Sequence, residues 1–405
     1  MPPRRRARSD VTTVGTPAIH PGGMPVAEFL ADYWQRKALC IPRAWPDFTA
    51  PLSAEELAGL ACEDGIDARL IIEKDAAQPW HLEHGPFEPQ RFSQLPASHW
   101  TLLVQSVDHY VPAVTALRDH FHFLPRWRLD DIMISFAAPG GSVGPHCDQY
   151  DVFLLQAMGR REWRLGAPAG PDDEYVTDSG LCLLQRFEES ARYLLEPGDM
   201  LYLPPGVPHH GIALEEGMTI SIGFRAPAAD EILAAAAEQL ATEKDLPRFS
   251  DAGRSSTESA GQITSDDVDR LREILVPLCQ DTTRLARILG QLTTEVRDEF
   301  GVDAQSVETF ALLRECDGER RLHRHPASRL AWHQADDGTV LCFFNGCSTS
   351  LAPTLLPLVR TLCDHDVYSI AQLGACIESG GDNELAAMDF IDRLLAEQVL
   401  RLDGD

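Results

Sequence analysis

Apolar positions along the chain repeat with two different periods, and the changes of period mark out its parts. From Val26 to Arg36 the spacing is helical, with Phe29, Leu30 and Tyr33 on one face. Ser53-Ala-Glu-Glu56 has the form of a capping box and predicts a second helix. A longer helical stretch is expected from about Val107 to Phe121. From Asp131 the period falls to two and β-formers take over. Strands are predicted at Ile132–Ala137, Tyr150–Gln156, Glu162–Leu165, Arg192–Leu195, Met200–Leu203 and Thr219–Phe224. Turn signals such as Pro139-Gly-Gly and Glu196-Pro-Gly-Asp separate them. Short strands at close spacing predict a β-barrel core. Beyond Pro227 the helical period returns at Ile232-Leu-Ala-Ala-Ala-Ala, and the polar stretch Ser250 to Ser265 reads as a linker. Helices are then expected at about Asp266–Cys279 and Thr282–Phe300. The remainder carries a strand-like Thr339-Val-Leu-Cys-Phe-Phe, a helix over Glu384–Glu397 and a final Val399-Leu-Arg-Leu.

At 405 residues the chain exceeds the usual single domain. The period changes divide it into residues 1–227, 228–302 and 303–405, an α+β whole built around a barrel. No run of 18 apolar residues occurs, so no membrane helix is expected. Met-Pro-Pro-Arg-Arg-Arg-Ala-Arg at the N-terminus is followed by no apolar segment; it reads as a disordered leader, not a secretory signal. The ten cysteines are scattered, which suits a reducing cytoplasm over a disulfide framework. A formal net charge of -27 argues against a general nucleic-acid binder, which needs a basic footprint. It agrees with a basic partner, or simply with solubility.

Chemistry concentrates in two turns. Gly140-Gly-Ser-Val-Gly-Pro-His146-Cys-Asp148 opens onto an apolar run, and Gly198-Asp-Met-Leu-Tyr-Leu-Pro204-Pro-Gly206-Val-Pro-His209 follows a strand. His146 and Asp148 are two apart, so on a strand they share a face while Cys147 points away. A barrel can bring His209 to the same mouth. Two imidazoles and one carboxylate on one side of a metal leave its other side open, the facial triad of non-haem Fe(II) oxygenases. His210 competes with His209, but a neighbour in sequence points elsewhere. In Gly159-Arg160-Arg161-Glu-Trp163-Arg164 the three arginines cannot all face inward. Arg160 reads as a surface residue and Arg164 as either. An inward Arg161 needs an anion, and the distal carboxylate of a dicarboxylate cosubstrate suits it through a bidentate pair.

Gly198-X5-Pro204-X-Gly206-X2-His209 resembles the second signature of the cupin superfamily. Asp131-Ile-Met-Ile-Ser-Phe, Pro145-His-Cys-Asp-Gln-Tyr-Asp-Val-Phe and Gly-Arg-Arg-Glu-Trp-Arg-Leu are similar to the JmjC-type ribosomal oxygenases. Their bacterial branch, arginine hydroxylases acting on a large-subunit ribosomal protein, is the most similar. The resemblance is densest over about residues 125–226 and extends more loosely along the chain. It implies a double-stranded β-helix barrel, a helical dimerisation region and a C-terminal winged-helix-like domain. It also implies an Fe(II)/2-oxoglutarate dioxygenase using O2, with His146, Asp148 and His209 as iron ligands and Arg161 on 2-oxoglutarate. Two positions depart from the cupin signatures. Ala213 stands where Asn usually follows the histidine, and His146-X-Asp148 stands where His-X-His is usual. The second departure favours an oxygenase.

The expected activity is therefore hydroxylation of a ribosomal protein, on an arginine side chain, by a cytoplasmic homodimer that binds neither membrane nor nucleic acid directly. One alternative keeps the metal but makes the chain a lysine demethylase. Another makes it a non-catalytic metal-cupin ligand sensor whose C-terminal domain binds nucleic acid, with Arg320-Arg-Leu-His-Arg-His as the only basic cluster there.

Overall fold

A computed structural model describes residues 24–75, 78–167, 175–176, 180–256, 259–296, 310, 320–377 and 380–402. The basic N-terminal leader and the end of the helix expected to reach Phe300 lie outside the described residues. The chain divides into two compact units, one of Met1–Pro125 with Asp131–Phe224 and one of Arg126–Asp130 with Arg225–Asp405.

The first unit begins with helix α1 (Val26–Asp32), strand β1 (Leu39–Ile41) and helix α2 (Ala54–Leu60). Next come β2 (Ala68–Asp75), β3 (Gln78–His84), α3 (Pro89–Ser93), β4 (Trp100–Val104) and α4 (Pro112–Thr115). The barrel strands follow: β5 (Leu129–Ala137), β6 (His146–Cys147), β7 (Asp151–Met158), β8 (Arg161–Gly166), β9 (Glu189–Leu195), β10 (Met200–Leu203), β11 (Pro208–Ala213) and β12 (Gly217–Phe224). They form an eight-stranded sheet in the order β1-β10-β7-β12-β5-β4-β2-β3 and a four-stranded sheet in the order β6-β11-β8-β9.

Strand alternation sorts the side chains of this unit into two cores. Phe153, Tyr202 and Phe224 form an aromatic cluster with Phe29 of α1 and Phe121, the Phe29 and Tyr202 rings meeting edge to face at 5.1 Å. On the opposite face Val152, Leu154, Leu201 and Leu203 of the large sheet meet Trp163, Leu165 and Leu195 of the small one. Trp163 of this inner core lies against His209, with ring centroids 5.8 Å apart, so the core borders the candidate site.

Several expected elements are corrected. Helix α1 stops at Asp32, short of Arg36, because Gln35 turns left-handed at φ 57 and is captured from outside. Its N–H donates to Tyr202 Oη at 2.7 Å and its Nε2 to Asp151 at 2.9 Å. The stretch Val107–Phe121 is not one helix but a 3-10 turn (Val107–His109), α4 and a second 3-10 turn (Ala116–Phe121). Pro112 holds Val111 in extended backbone, φ -117 and ψ 106, and so cuts the run. The capping box is present, with Ser53 and Glu56 each accepting from the other's backbone N–H.

Among the described residues, the second unit contains α5 (Ala229–Ala241), α6 (Ser265–Gln280), α7 (Thr282–Thr294) and six strands. The strands are β13 (Arg321–Arg324), β14 (Leu330–Gln334), β15 (Val340–Phe344), β16 (Cys347–Leu351), β17 (Val367–Ser369) and β18 (Leu400–Leu402). They pair as two three-stranded sheets, β17-β13-β18 and β14-β15-β16. Helices Leu356–Asp364, Ile370–Ala375 and Asp382–Ala396 bury Leu358, Leu362, Leu373, Ile391 and Leu394 against Leu322, Val340 and Phe344. Asp130 accepts from both Arg225 at 2.9 Å and Arg329 at 2.7 Å, which ties residues 126–130 into this unit. Helix α7 packs on β14, β15 and β16, whereas α5 and α6 bury no residue fully. Among the described residues no helix is long and apolar enough to cross a membrane.

Candidate metal centre

Strand β11 pairs antiparallel with β6 so that His209 lies directly opposite His146. The imidazole centroids are 4.2 Å apart, and Asp148 lies just beyond β6 with a carboxylate oxygen 3.6 Å from His209 Nε2. One ligand atom from each of His146, Asp148 and His209 lies within 4.8 Å of the others. Alternation along β11 sends His210 to the opposite face, where it is the cross-strand neighbour of Arg164 and lies against the Phe187 ring. His210 and Cys147 are outside the cluster.

Backbone carbonyls set the imidazole tautomers. Nδ1 of His146 is 3.0 Å from the carbonyl of Gly144, and Nδ1 of His209 is 2.9 Å from that of Val207. A carbonyl can only accept, so each Nδ1 carries a proton, and in a neutral ring Nε2 is then the atom with the lone pair. Burial and the neighbouring His146 push the His209 pKa down to about 4, so its ring is neutral at ordinary pH. The loop geometry rests on Gly206, whose φ of +80 suits glycine and whose N–H donates to the Asp148 carbonyl at 2.8 Å. That bond joins the two ligand-bearing turns.

Arg161 stands on β8 with its guanidinium inside the barrel, 3% exposed. Nη1 donates to Thr219 Oγ1 and Nη2 to the Gly211 carbonyl, each at 3.3 Å, while Nε has no partner among the described residues. The Trp163 ring covers the cation at 4.9 Å. No carboxylate among the described residues pairs with it, and burial pulls its pKa down to about 10. Arg160 and Arg164 point outward and pair with Glu215 and Glu162. Gly211 is required at its position: a Cβ there would lie 2.7 Å from Arg161 Nε and from the Trp163 ring. Ala213, where the cupin signature usually carries Asn, is the cross-strand partner of Arg161, so a larger polar side chain would compete for the same space.

The donor set fits a divalent iron. It has two imidazoles and a carboxylate on one side, with a buried, uncompensated guanidinium in the same barrel. The roles of Thr219, Gln156 and Gly211 escape a reading of the sequence, where they are single residues of strands whose pairing is not yet known. The one available signal is the polar Gln156 and Thr219 inside otherwise apolar runs.

Fold and donor set together define a cupin-type metal centre of the JmjC class. The JmjC domain family matches residues 116–232, and the ROXA-like winged helix family matches residues 277–400. The AraC-like ligand binding domain family also matches residues 176–313. The ribosomal protein uL16 3-hydroxylase of Escherichia coli is 38% identical over 68% of this chain and 73% of its own length. A probable ribosomal oxygenase of Haemophilus influenzae is 30% identical over 61% of this chain and 62% of its length. The solved structure of E. coli YcfD matches with a TM-score of 0.81 at 30% identity, covering 94% of this chain and 99% of that one. YcfD has also been solved in complex with cobalt and 2-oxoglutarate; that structure matches at 0.79 and 30% identity, covering 93% of this chain and 98% of that one. The chain belongs to the JmjC-domain ribosomal oxygenase family.

Proposed function

We propose that this chain is an Fe(II)- and 2-oxoglutarate-dependent hydroxylase of a large-subunit ribosomal protein, acting on an arginine side chain. The observation that carries the reading is Arg161, a buried cation without a carboxylate, in the barrel that holds His146, Asp148 and His209. Those three residues would hold the iron and Arg161 would take the distal carboxylate of 2-oxoglutarate. When bound, iron and 2-oxoglutarate supply the oxidising power: O2 and 2-oxoglutarate are consumed, succinate and CO2 leave, and a C–H bond becomes C–OH. The protein's part is to orient and to exclude water. The Gly144 and Val207 carbonyls keep both imidazoles in the ligating tautomer. Val152, Leu154, Leu165, Leu201 and Leu203 pack in one apolar cluster with Trp163, whose ring lies against His209 and Arg161.

Residues 1–227 would form the catalytic domain, 228–302 the dimerisation region and 303–405 the winged-helix-like domain. The apolar positions left exposed on the helices, Leu233 at 68% and Leu275 at 49% among them, support a homodimer. The net charge of -27 supports a cytoplasmic enzyme steered to a basic ribosomal protein, with no direct contact to nucleic acid.

A second reading is favoured by relatives named bifunctional lysine-specific demethylase and histidyl-hydroxylase NO66. The one from Aedes aegypti is 27% identical over 47% of this chain and 31% of its own length. Mass spectrometry of a uL16 peptide incubated with the protein, Fe(II) and 2-oxoglutarate separates the two. A gain of one oxygen on arginine, lost when 2-oxoglutarate is omitted, is expected. Loss of a methylene from a methylated lysine peptide, without any hydroxylation, would establish the second reading instead.

A further inference from the structure

Strands β7 and β12 carry a polar chain that the ligand cluster does not include. Gln156 and Thr219 are each 1% exposed and lie opposite one another in the register of the two strands. Thr219 Oγ1–H donates to Gln156 Oε1 at 3.0 Å, and Gln156 Nε2–H donates to the Met158 carbonyl at 2.8 Å. The direction of every link follows from its far end. A carbonyl only accepts, so the Gln156 amide nitrogen faces Met158 and its oxygen faces Thr219. The Thr219 proton is thereby committed to Gln156, and the Thr219 oxygen is left as an acceptor for Arg161 Nη1 at 3.3 Å.

The backbone at this point is built for the arrangement. Met218 pairs with Met158, but Thr219 pairs with Gln156, so the strand register slips at a bulge. A bulge re-aims a side chain at the cost of a local break in the ladder. Here the Gln156 side chain spans the bulge to Met158. The Gln156 main chain is also held, its N–H donating to Asp199 at 3.0 Å and its carbonyl accepting from Gly198 at 2.9 Å. On the far side of the guanidinium, Gly211 supplies the second acceptor and the Trp163 ring supplies one wall. Three fixed contacts around a planar cation leave it one orientation.

We infer that Gln156 and Thr219 are positioning residues which, through the bulge between β7 and β12, fix the Arg161 guanidinium in the orientation that receives the distal carboxylate of the cosubstrate. The inference rests on the proposed 2-oxoglutarate reading. Neither residue needs to touch the cosubstrate. A polar pair whose sole role was to satisfy buried hydrogen bonds would contribute to folding and leave cosubstrate affinity unchanged. A positioning pair contributes to folding too, but its loss also lowers cosubstrate affinity.

Calorimetric titration of 2-oxoglutarate into the Co(II)-loaded full-length protein separates these roles. The parent protein, Thr219→Val, Thr219→Ser and Gln156→Leu would be compared, with Co(II) affinity and melting temperature measured on each. Thr219→Val and Gln156→Leu are expected to weaken 2-oxoglutarate binding by about tenfold, the scale of one charge-assisted hydrogen bond lost or misaligned. Thr219→Ser keeps the hydroxyl and is expected to bind within about twofold of the parent, and Co(II) affinity should not follow the cosubstrate loss. Equal 2-oxoglutarate affinity in the parent, Thr219→Val and Gln156→Leu would overturn the inference and leave the proposed function standing. Parallel loss of Co(II) affinity and melting temperature, unrescued by Thr219→Ser, would reduce the pair to packing. A parent protein that binds Co(II) but no 2-oxoglutarate would overturn the proposed function, and this inference with it.

Discussion

At the scale of single residues, His209 and His210 are distinguished by which way a strand turns each side chain. Adjacent residues of β11 project to opposite faces, and only His209 lies across from His146. Burial depresses both imidazoles to a pKa of about 4, so protonation behaviour alone does not separate them. Geometry does. His209→Ala is expected to weaken Co(II) binding by more than about a hundredfold, beyond the loss usual for an outer partner of a metal ligand. His210→Ala should leave it within the same order of magnitude, because its ring faces Phe187 and Arg164. Equal losses in the two variants, read by equilibrium dialysis, would contradict the assignment. The sequence marks His146, Asp148 and His209 through their glycine- and proline-rich turns. It gives no comparable mark to Thr219 or Gln156, whose meaning comes from a cross-strand partner 63 positions away in sequence.

At the scale of elements, local signals decide local features and fail where a tertiary contact or a proline intervenes. The Ser53–Glu56 capping box is legible because both its partners lie within one turn. The end of α1 is not, because Gln35 is taken by Tyr202 and Asp151 from β10 and β7. Strand β3 and helix α3 are joined by a two-pronged ion pair, with Arg91 Nε and Nη2 each 2.8 Å from a Glu83 oxygen. The hydrogen bonds from Arg91 hold the Glu83 carboxyl below its ordinary value of 4.5. A carboxyl with a lowered folded-state pKa contributes stability above its unfolded pKa, and that contribution is lost as pH falls through the folded value. The pair is partly exposed, so Glu83→Gln is expected to cost only about 0.5–1 kcal/mol at neutral pH. Urea unfolding of both proteins should show the difference at neutral pH and its disappearance once the medium is well below pH 4.5. A difference that persists in acid would assign the effect to packing.

At the scale of the whole molecule, the exposed apolar positions of the helical region bear on the proposed homodimer. On α6, Val268, Leu271 and Leu275 recur at helical spacing and are each close to half exposed. Light scattering is expected to give twice the chain mass, and Leu271→Glu combined with Leu275→Glu is expected to give the monomer. A monomeric parent at micromolar concentration would remove the dimer from the proposal. The sequence by itself determined the barrel, through strand periodicity and turn residues, and the three candidate ligands, through two motifs that are local in the chain. It also placed Arg161 inside, because a buried strand does not carry a charge without reason. Only the tertiary structure decided what surrounds that charge. Arg161, Gly211, Thr219 and Gln156 meet through the pairing of β8 with β11 and the bulge between β7 and β12. Hydrogen-bond register between distant strands leaves no trace in the local pattern of either one, and for that reason the candidate ligands were legible while the cradle of the guanidinium was not.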